Sequence, residues 1–351
     1  MNLRQFIDKT WFLGLLFIMC VIGYIGHSWV AKIYQYYDAK IHIAALLFLS
    51  SFSMRASKLR EGMLSGRVHI AAFITNWVVG TLLALAIGFA FFRNQPGAFV
   101  GIIIVAAIPT TMASAAVWTR LAGGNDGVCI AFIFIANISS VIVTPTILSI
   151  GLYFAGIEII GNSGQPVNVF ELFSFVETLK KLALVLILPV ISGQVLRLLV
   201  GLKNAERSRK AVTYITQVLV IFMVFIAVGR AHDQISKTSA ARLLVILFAL
   251  PGMHVILLII AYSIGRLMKL ERDQMIPLLF SGAQKTLPVG FYLGDEFAKM
   301  NPALALAPIP TIIYHPTQLV IDLFVVELFN RAEKKDKQRA GPEEKTSPGP
   351  E

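Results

Sequence analysis

Ten stretches of this chain are apolar over most of the length needed to cross a bilayer: 11–26, 38–54, 68–92, 97–121, 126–155, 173–198, 211–229, 242–268, 274–294 and 304–330. A crossing helix needs about 20 such residues, and hydrocarbon admits only helices or closed barrels. Of the 351 residues 56% are apolar and 15% charged, whereas soluble domains carry about 25% charged residues. The chain therefore reads as an all-α integral membrane protein of about ten transmembrane helices. The run 11–26 has no small-residue cleavage site and reads as a first span that doubles as insertion signal. The run 38–54 is short, which leaves it tilted, broken or re-entrant.

Charge sets the orientation. Arg55, Lys58, Arg60 and Arg67 fill one loop, Arg120 precedes a second, and Arg197, Lys203, Arg207, Arg209 and Lys210 mark a third. Arg266, Lys269 and Arg272 mark a fourth. Ten crossings put all of these on one side with both termini. The 156–171 loop, on the other side, has no Lys or Arg. Positive loops stay cytoplasmic, so both termini are expected inside, in a cell inner membrane. This clustering accounts for the net charge of +11 without nucleic acid. Cys20 and Cys129 both fall in apolar runs, which argues against a disulfide framework or metal cluster.

The 156–171 segment divides the spans five and five. Five is odd, so residues 1–155 and 172–330 would insert as inverted repeats joined by an extracytoplasmic linker, an architecture transporters use. The tail 331–351 is charged and Pro-bearing and is expected to be a disordered cytoplasmic extension.

The fourth and ninth spans carry polar chemistry at mid-depth. Pro109 interrupts the fourth and is followed by Thr110, Thr111 and Ser114. Gly282, Gln284, Lys285, Thr286 and Pro288 interrupt the ninth. Proline removes a backbone hydrogen bond, and hydroxyl groups can satisfy what a break sets free. Interrupted helices in corresponding positions of two halves point to a transporter's binding site. Singly, each could equally be a kinked helix bonded to itself. His315 and Pro316 mark a further break in the last span. Asn76, Asn137, Ser140 and His315 are candidates for lining the same cavity, though the first three are as readily helix–helix contacts and the last a packed neutral imidazole. Gly290 and Gly294 fit a small-residue packing face, and Lys180 and Lys181 are expected to reach the outer surface.

Lys285 is the twelfth residue of its 21-residue stretch, roughly 15 Å from either interface, and its stem cannot reach water. A lysine there costs roughly 2.5–3.5 kcal/mol on insertion scales. It must meet a wet cavity or a set of oxygen acceptors. No carboxylate is expected at mid-depth to pair with it. A proton-carrying site, an anion anchor and a structural ammonium held by carbonyls all remain open.

Pro109-Thr110-Thr111-Met112-Ala113-Ser114, with Trp118-Thr119-Arg120-Leu121-Ala122-Gly123-Gly124-Asn125, resembles the crossover segment of the bile acid:sodium symporter family. Gln284-Lys285-Thr286 and Ile313-Tyr314-His315-Pro316-Thr317-Gln318 are similar to its SBF-like branch, which includes the seventh member of the vertebrate bile-acid solute-carrier group. The resemblance covers about residues 8–330. It implies panel and core domains, spans four and nine unwound and crossing at mid-membrane, and organic anions moved with sodium.

The sodium ligands are where this chain departs. The Ser-Asn of sodium-dependent members is Ser114-Ala115 here, and the hydroxyl positions of span five fall on Cys129 and Ile133. The Glu-x-Gly-x-Gln-Asn of span nine is Phe280-Ser281-Gly282-Ala283-Gln284-Lys285. An acidic ligand is lost and a cation gained, so the Lys285 ammonium is expected to supply the charge that sodium supplies elsewhere.

The expected function is a symporter-like secondary transporter of a small organic anion. Thr110, Thr111, Ser114, Gln284, Lys285 and Thr286 form its substrate or ion site. No cofactor is expected, Na+ or H+ stays open as coupling ion, and the sequence sets no oligomeric state. The competing reading is a membrane sensor on the same fold. No zinc motif or paired mid-span carboxylates indicate an enzyme.

Overall fold

The computed structural model describes residues 3–54, 59–161 and 164–339. The helices are α1 (Leu3–Ile25), α2 (His27–Tyr34), α3 (Ala39–Ser53), α4 (Leu59–Met63), α5 (Gly66–Phe91), α6 (Pro96–Ala107), α7 (Ser114–Leu121) and α8 (Asp126–Ala155). After a hairpin of β1 (Glu158–Ile160) and β2 (Pro166–Asn168) come α9 (Val169–Leu172), α10 (Phe175–Val200), α11 (Leu202–Arg230) and α12 (His232–Lys237). The series closes with α13 (Ala240–Leu267), α14 (Arg272–Ala283), α15 (Leu287–Met300) and α16 (Ile309–Arg339).

Among the described residues, six helical segments are long and apolar enough to cross a membrane, and seven if α1 and α2, which meet at 90°, make one span. The 38–54 stretch forms the single helix α3, with Asp38 capping its first turn through Lys40 N at 2.8 Å. Leucine, isoleucine and phenylalanine lie exposed along the long helices, among them Leu82, Ile142, Leu184, Phe248 and Phe324. In water that surface would be untenable; against acyl chains it is the solvated face.

Two packing groups result. The bent pair α1–α2 lies on α11, which also packs on α3, and α3 lies on α10. In the second group α14 lies against α5, α7, α8 and α13, while α16 contacts α6, α13 and α15. Gly294 of α15 makes a close join, since an added Cβ would sit 2.6 Å from Pro308 Cα. Together with Gly290, which faces Thr311 and Ile108, it forms the small-residue packing face expected from sequence.

Contacts between loops fall into two sets. At one end Arg67 Nη2 donates to Met268 O, Asn125 N to Asp273 O, Arg272 Nη2 to Ala122 O, and Arg197 Nη1 to Phe52 O. At the other, Asn301 Nδ2 donates to Ile160 O, Gln234 Nε2 to Pro302 O, and Lys181 Nζ to Glu296 Oε2. The basic loops share the first end. Arg55 and Lys58 lie outside the described residues.

Three local expectations are corrected. Pro316 does not break α16, which runs on through it, as helices run through Pro145, Pro251 and Pro277. Beside Pro316, the Thr317 hydroxyl donates to Ile313 O and Tyr314 O (2.8 and 3.0 Å), and such local bonds let a proline stay within a membrane helix. The chain after 330 continues as helix to Arg339 rather than as disordered tail; residues 340–351 lie outside the described residues. The second interruption begins after Ala283, so Gly282 is still helical and Pro288 stands in the first turn of α15.

Candidate functional site

The two interruptions, residues 108–113 and 284–286, meet. Thr286 N donates to Pro109 O at 2.9 Å, a backbone bond from one break to the other. Each break ends a helix whose last carbonyls have lost their intrahelical donors. In a buried setting those carbonyls need other partners, and the structure supplies them one by one.

Ala106 O and Ile108 O accept from Lys285 Nζ at 2.8 and 3.2 Å. Ala107 O accepts from Trp77 Nε1 at 2.9 Å and Thr144 Oγ1 at 2.8 Å. On the second break, Asn76 Nδ2 donates to the carbonyls of Ser281, Gly282 and Gln284, the last at 3.0 Å. Tyr314 Oη donates to Ala283 O at 2.8 Å, and Gln318 Nε2 to Lys285 O at 2.9 Å.

Asn76 sits in a π-helical turn, Ile74–Val79, within α5. Such turns gather at functional sites because they re-aim side chains. Here the turn presents both ends of one amide: Nδ2 to the carbonyls of α14, and Oδ1 to Lys285 Nζ at 2.8 Å. Asn76 O accepts from the same ammonium at 2.7 Å. The Lys285 ammonium, fully buried, thus has four oxygen acceptors for its three hydrogens. It lies at the C-terminal ends of α6 and α14, where helix dipoles favour a cation. A wet cavity is not what receives it; an oxygen cage is.

The side chain of Gln284 ties the breaks together. Its Oε1 lies 2.5 Å from Thr111 Oγ1 and 2.8 Å from Ser114 Oγ, and those two hydroxyls are 2.7 Å apart. Its Nε2 donates to Asp322 Oδ2 at 2.6 Å. Asp322 is fully buried, which corrects the expectation that no carboxylate lies at mid-depth. Asp322 stands well inside α16, which runs from Ile309 to Arg339.

The expected site residues divide accordingly. Thr111, Ser114, Gln284 and Lys285 join one network. Thr286 joins through its backbone, and Thr110 is buried beside it with its hydroxyl unpartnered. His315 Nδ1 faces Gln318 Nε2 at 2.9 Å and Lys285 O at 3.4 Å. Asn76 is drawn from the rim of the expected set to its centre. Asn137 and Ser140 bond within their own helix, to Ile133 O and Asn137 O, rather than to the breaks. Sequence reasoning passed over His254 and Asp322, and met Tyr314 and Gln318 only as part of the resemblance. His254 stands in the middle of the 242–268 stretch, the same signal that drew attention to Lys285.

Ala115, Cys129, Ile133 and Phe280, the positions at which the resemblance implies sodium ligands, are all buried and apolar. No group of three His, Cys, Asp or Glu side chains arranged for a metal occurs among the described residues.

A family model for the SBF-like CPA transporter family matches residues 10–331. The chain belongs to that family. Among its relatives, the solute carrier RCH1 of Saccharomyces cerevisiae is 24% identical, with 97% of this chain and 88% of the relative covered. Sodium/bile acid cotransporter 7 of Danio rerio is 23% identical, covering 80% of each chain. The Xenopus tropicalis protein of the same name is 21% identical, covering 93% of each. Family membership and the apolar helices together make this a multi-pass protein of a membrane transporter family, and the sequence-level resemblance to the SBF-like branch stands.

Proposed function

We propose that the chain is a secondary active transporter that carries a small organic anion across the membrane by alternating access. The long apolar helices, the bent pair α1–α2, α3, and the interrupted pairs α6–α7 and α14–α15 support a count of ten crossings. Residues 1–155 and 172–330 are then inverted five-span repeats joined by an extracytoplasmic linker. The α1–α3, α10 and α11 group is the panel, and the group around α14 is the core. The grouping of basic loops at one end supports an inner-membrane location with both termini cytoplasmic.

An anion is favoured at the first break. Ala113 is exposed and Ser114 half-buried, so the N-terminal N–H groups of α7 and the Thr110, Thr111, Ser114 and Thr286 hydroxyls stand near a reachable edge. Helix N-termini favour negative charge. The transporter names of the relatives support flux over sensing.

The observation that carries the coupling proposal is the cage around Lys285 Nζ: two carbonyls of α6 and both oxygens of Asn76, at 2.7–3.2 Å. The ammonium is a built-in cation that replaces a bound sodium ion, so transport is sodium-independent. Proton coupling through Lys285 itself has weaker support. A neutral amine would donate two hydrogens to four acceptors and strand buried carbonyls.

The test is uptake of a panel of organic anions into proteoliposomes under separate sodium and pH gradients. Uptake indifferent to sodium in the wild type, and lost in Lys285→Ala, is expected. Sodium-driven uptake that survives in Lys285→Ala contradicts the proposal.

A further inference from the structure

Behind the cage lies a second buried group that the transport reading leaves unused. His254 of α13 is fully buried, as are Tyr314 and Asp322 of α16. His254 Nε2 lies 2.9 Å from Asp322 Oδ1. Its Nδ1 lies 3.1 Å from Tyr314 Oη and 3.3 Å from Ala283 O. Tyr314 Oη also donates to Ala283 O at 2.8 Å, and Ala283 is the last residue of α14 before the break.

Counting hydrogens gives these distances a meaning. A phenol has one hydrogen, and each imidazole nitrogen either donates or accepts. With Tyr314 donating to Ala283 O, its oxygen can only accept from His254, so Nδ1 carries hydrogen. Asp322, already accepting from Gln284 Nε2, accepts from Nε2–H as well. Both ring nitrogens are then protonated, and the imidazolium is balanced by the carboxylate. Removal of one proton to water leaves Nδ1 bare. The Tyr314 hydroxyl then turns to it, and Ala283 O loses its donor. The other neutral tautomer sets a nitrogen lone pair against the carboxylate.

No other described group alters this count. Tyr314 and Asp322 are the titratable side chains bonded to the ring. From the end of α14 the ring's hydrogen-bond partner is the Ala283 carbonyl. Lys285 Nζ is turned into the α6 cage, His315 faces Gln318, and His69 of α5 bonds Gly62 O at 2.9 Å.

We propose that His254, with Asp322 and Tyr314, binds a single proton, and that its occupancy decides whether Tyr314 caps the end of α14 at the crossing of the two breaks. The site's role as the coupling site for H+ rests on the transporter reading; the proton-binding itself does not.

The test uses the full chain in lipid nanodiscs, labelled with nitrogen-15 histidine and carbon-13 alanine carbonyl. It is titrated between about pH 5 and about pH 9, the range in which histidine changes charge. His254→Gln assigns the histidine signals, and Ala283→Gly assigns the carbonyl. At low pH both His254 nitrogens are expected to give protonated-type shifts. As pH rises Nδ1 moves to the bare-nitrogen position, and the Ala283 carbonyl moves with the same midpoint. In Tyr314→Phe the ring still titrates and the carbonyl no longer follows. A His254 signal unchanged across the range overturns the site. A carbonyl that stays still in the wild type, or that still follows in Tyr314→Phe, overturns the relay. A titrating His254 in a protein that shows no anion uptake removes the transport reading and leaves the proton site. Anion uptake with a silent His254 does the reverse.

Discussion

The two ends of α15 hold charge in opposite ways. At its start, the Lys285 ammonium is buried among neutral oxygens, with no carboxylate bonded to it. At its far end, Asp295 is only 1% exposed and is ringed by charge: Arg230, with Lys299 Nζ at 2.8 Å. Tyr34 Oη lies 3.1 Å from Asp295 and accepts from Arg230 at 2.8 Å, and the Arg230 guanidinium lies over the Tyr34 ring. Glu296 pairs with Lys181 at 2.6 Å and Lys299 at 3.3 Å. The Lys285 cage lies wholly within the packing group around α14. The Asp295 cluster joins that group to α2, α10 and α11. A dry cage of neutral acceptors cannot release its cation without stranding carbonyls, so it fixes the crossing of the breaks. Paired charges with water within reach can separate, since half-buried Arg230 and exposed Lys299 are resolvated as they leave. The cage suits a part that must hold, and the ion-pair cluster suits a seam that must open.

Substitution in the cage should have the largest effect. Lys285→Ala leaves Ala106 O, Ile108 O and both Asn76 oxygens without their donor. An unsatisfied buried polar group costs about 1–3 kcal/mol, so a stability loss on the order of 3 kcal/mol or more is expected. Thermal unfolding in detergent measures it. A melting point within a degree or two of wild type would mean that the cage is not what holds the crossing.

Asn76→Ala comes next. It strips donors from Ser281, Gly282 and Gln284 carbonyls and one acceptor from the ammonium. A loss of about 2–4 kcal/mol is expected, larger than that of Asn137→Ala, whose amide bonds only within its own helix. Equal losses would remove the distinction between the cage and an ordinary helical asparagine.

At the other end, Arg230→Ala should cost about 1 kcal/mol or less, because Lys299 and Tyr34 still face Asp295. Its mark should be on opening. A cysteine placed at Ala227, which lines the small pocket beside Arg230 and Asp295, should label faster with a polar thiol reagent in Arg230→Ala than with Arg230 intact. Unchanged labelling would mean that the seam is not held by this pair.

The smallest effect concerns pH. Glu296 lies beyond the 274–294 apolar stretch. Burial alone would raise its carboxyl, but the hydrogen bond and charge of Lys181, with those of Lys299, outweigh burial and hold it below the ordinary carboxylate value. A lowered folded-state value means that its contribution is present above the ordinary carboxylate range and is lost as pH falls through the lowered one. The melting point of wild type should therefore fall towards that of Glu296→Gln on acidification below about pH 4.5, and the gap should not widen there.

Much of this was legible in the chain and some was not, for physical reasons. Hydropathy located the apolar helices, and Pro109 with Gln284-Lys285-Thr286 located the two breaks. Proline itself did not decide which helices break. Pro145, Pro251, Pro277 and Pro316 all stay inside helices, whereas Pro109 follows carbonyls that Lys285, Trp77 and Thr144 take up from other elements. That capture is tertiary and has no local signature. The burial of Asp322 depends on His254 and Gln284 of other elements, which no local pattern reveals. Asn76 looked like any span asparagine until a π turn aimed both ends of its amide at the two breaks. The bend of α1 into α2 at Gly26 likewise depends on packing against α11, where Val30 lies fully buried against Gly229.

Sodium binding tests most directly whether a lysine has taken the place of the ion. Radioactive sodium is titrated onto the purified wild-type protein in nanodiscs, in the presence and absence of a competing excess of unlabelled sodium. With the Lys285 ammonium filling the cage, no saturable sodium binding is expected. Saturable binding that cold sodium displaces, in a protein whose Lys285 is intact, would contradict it.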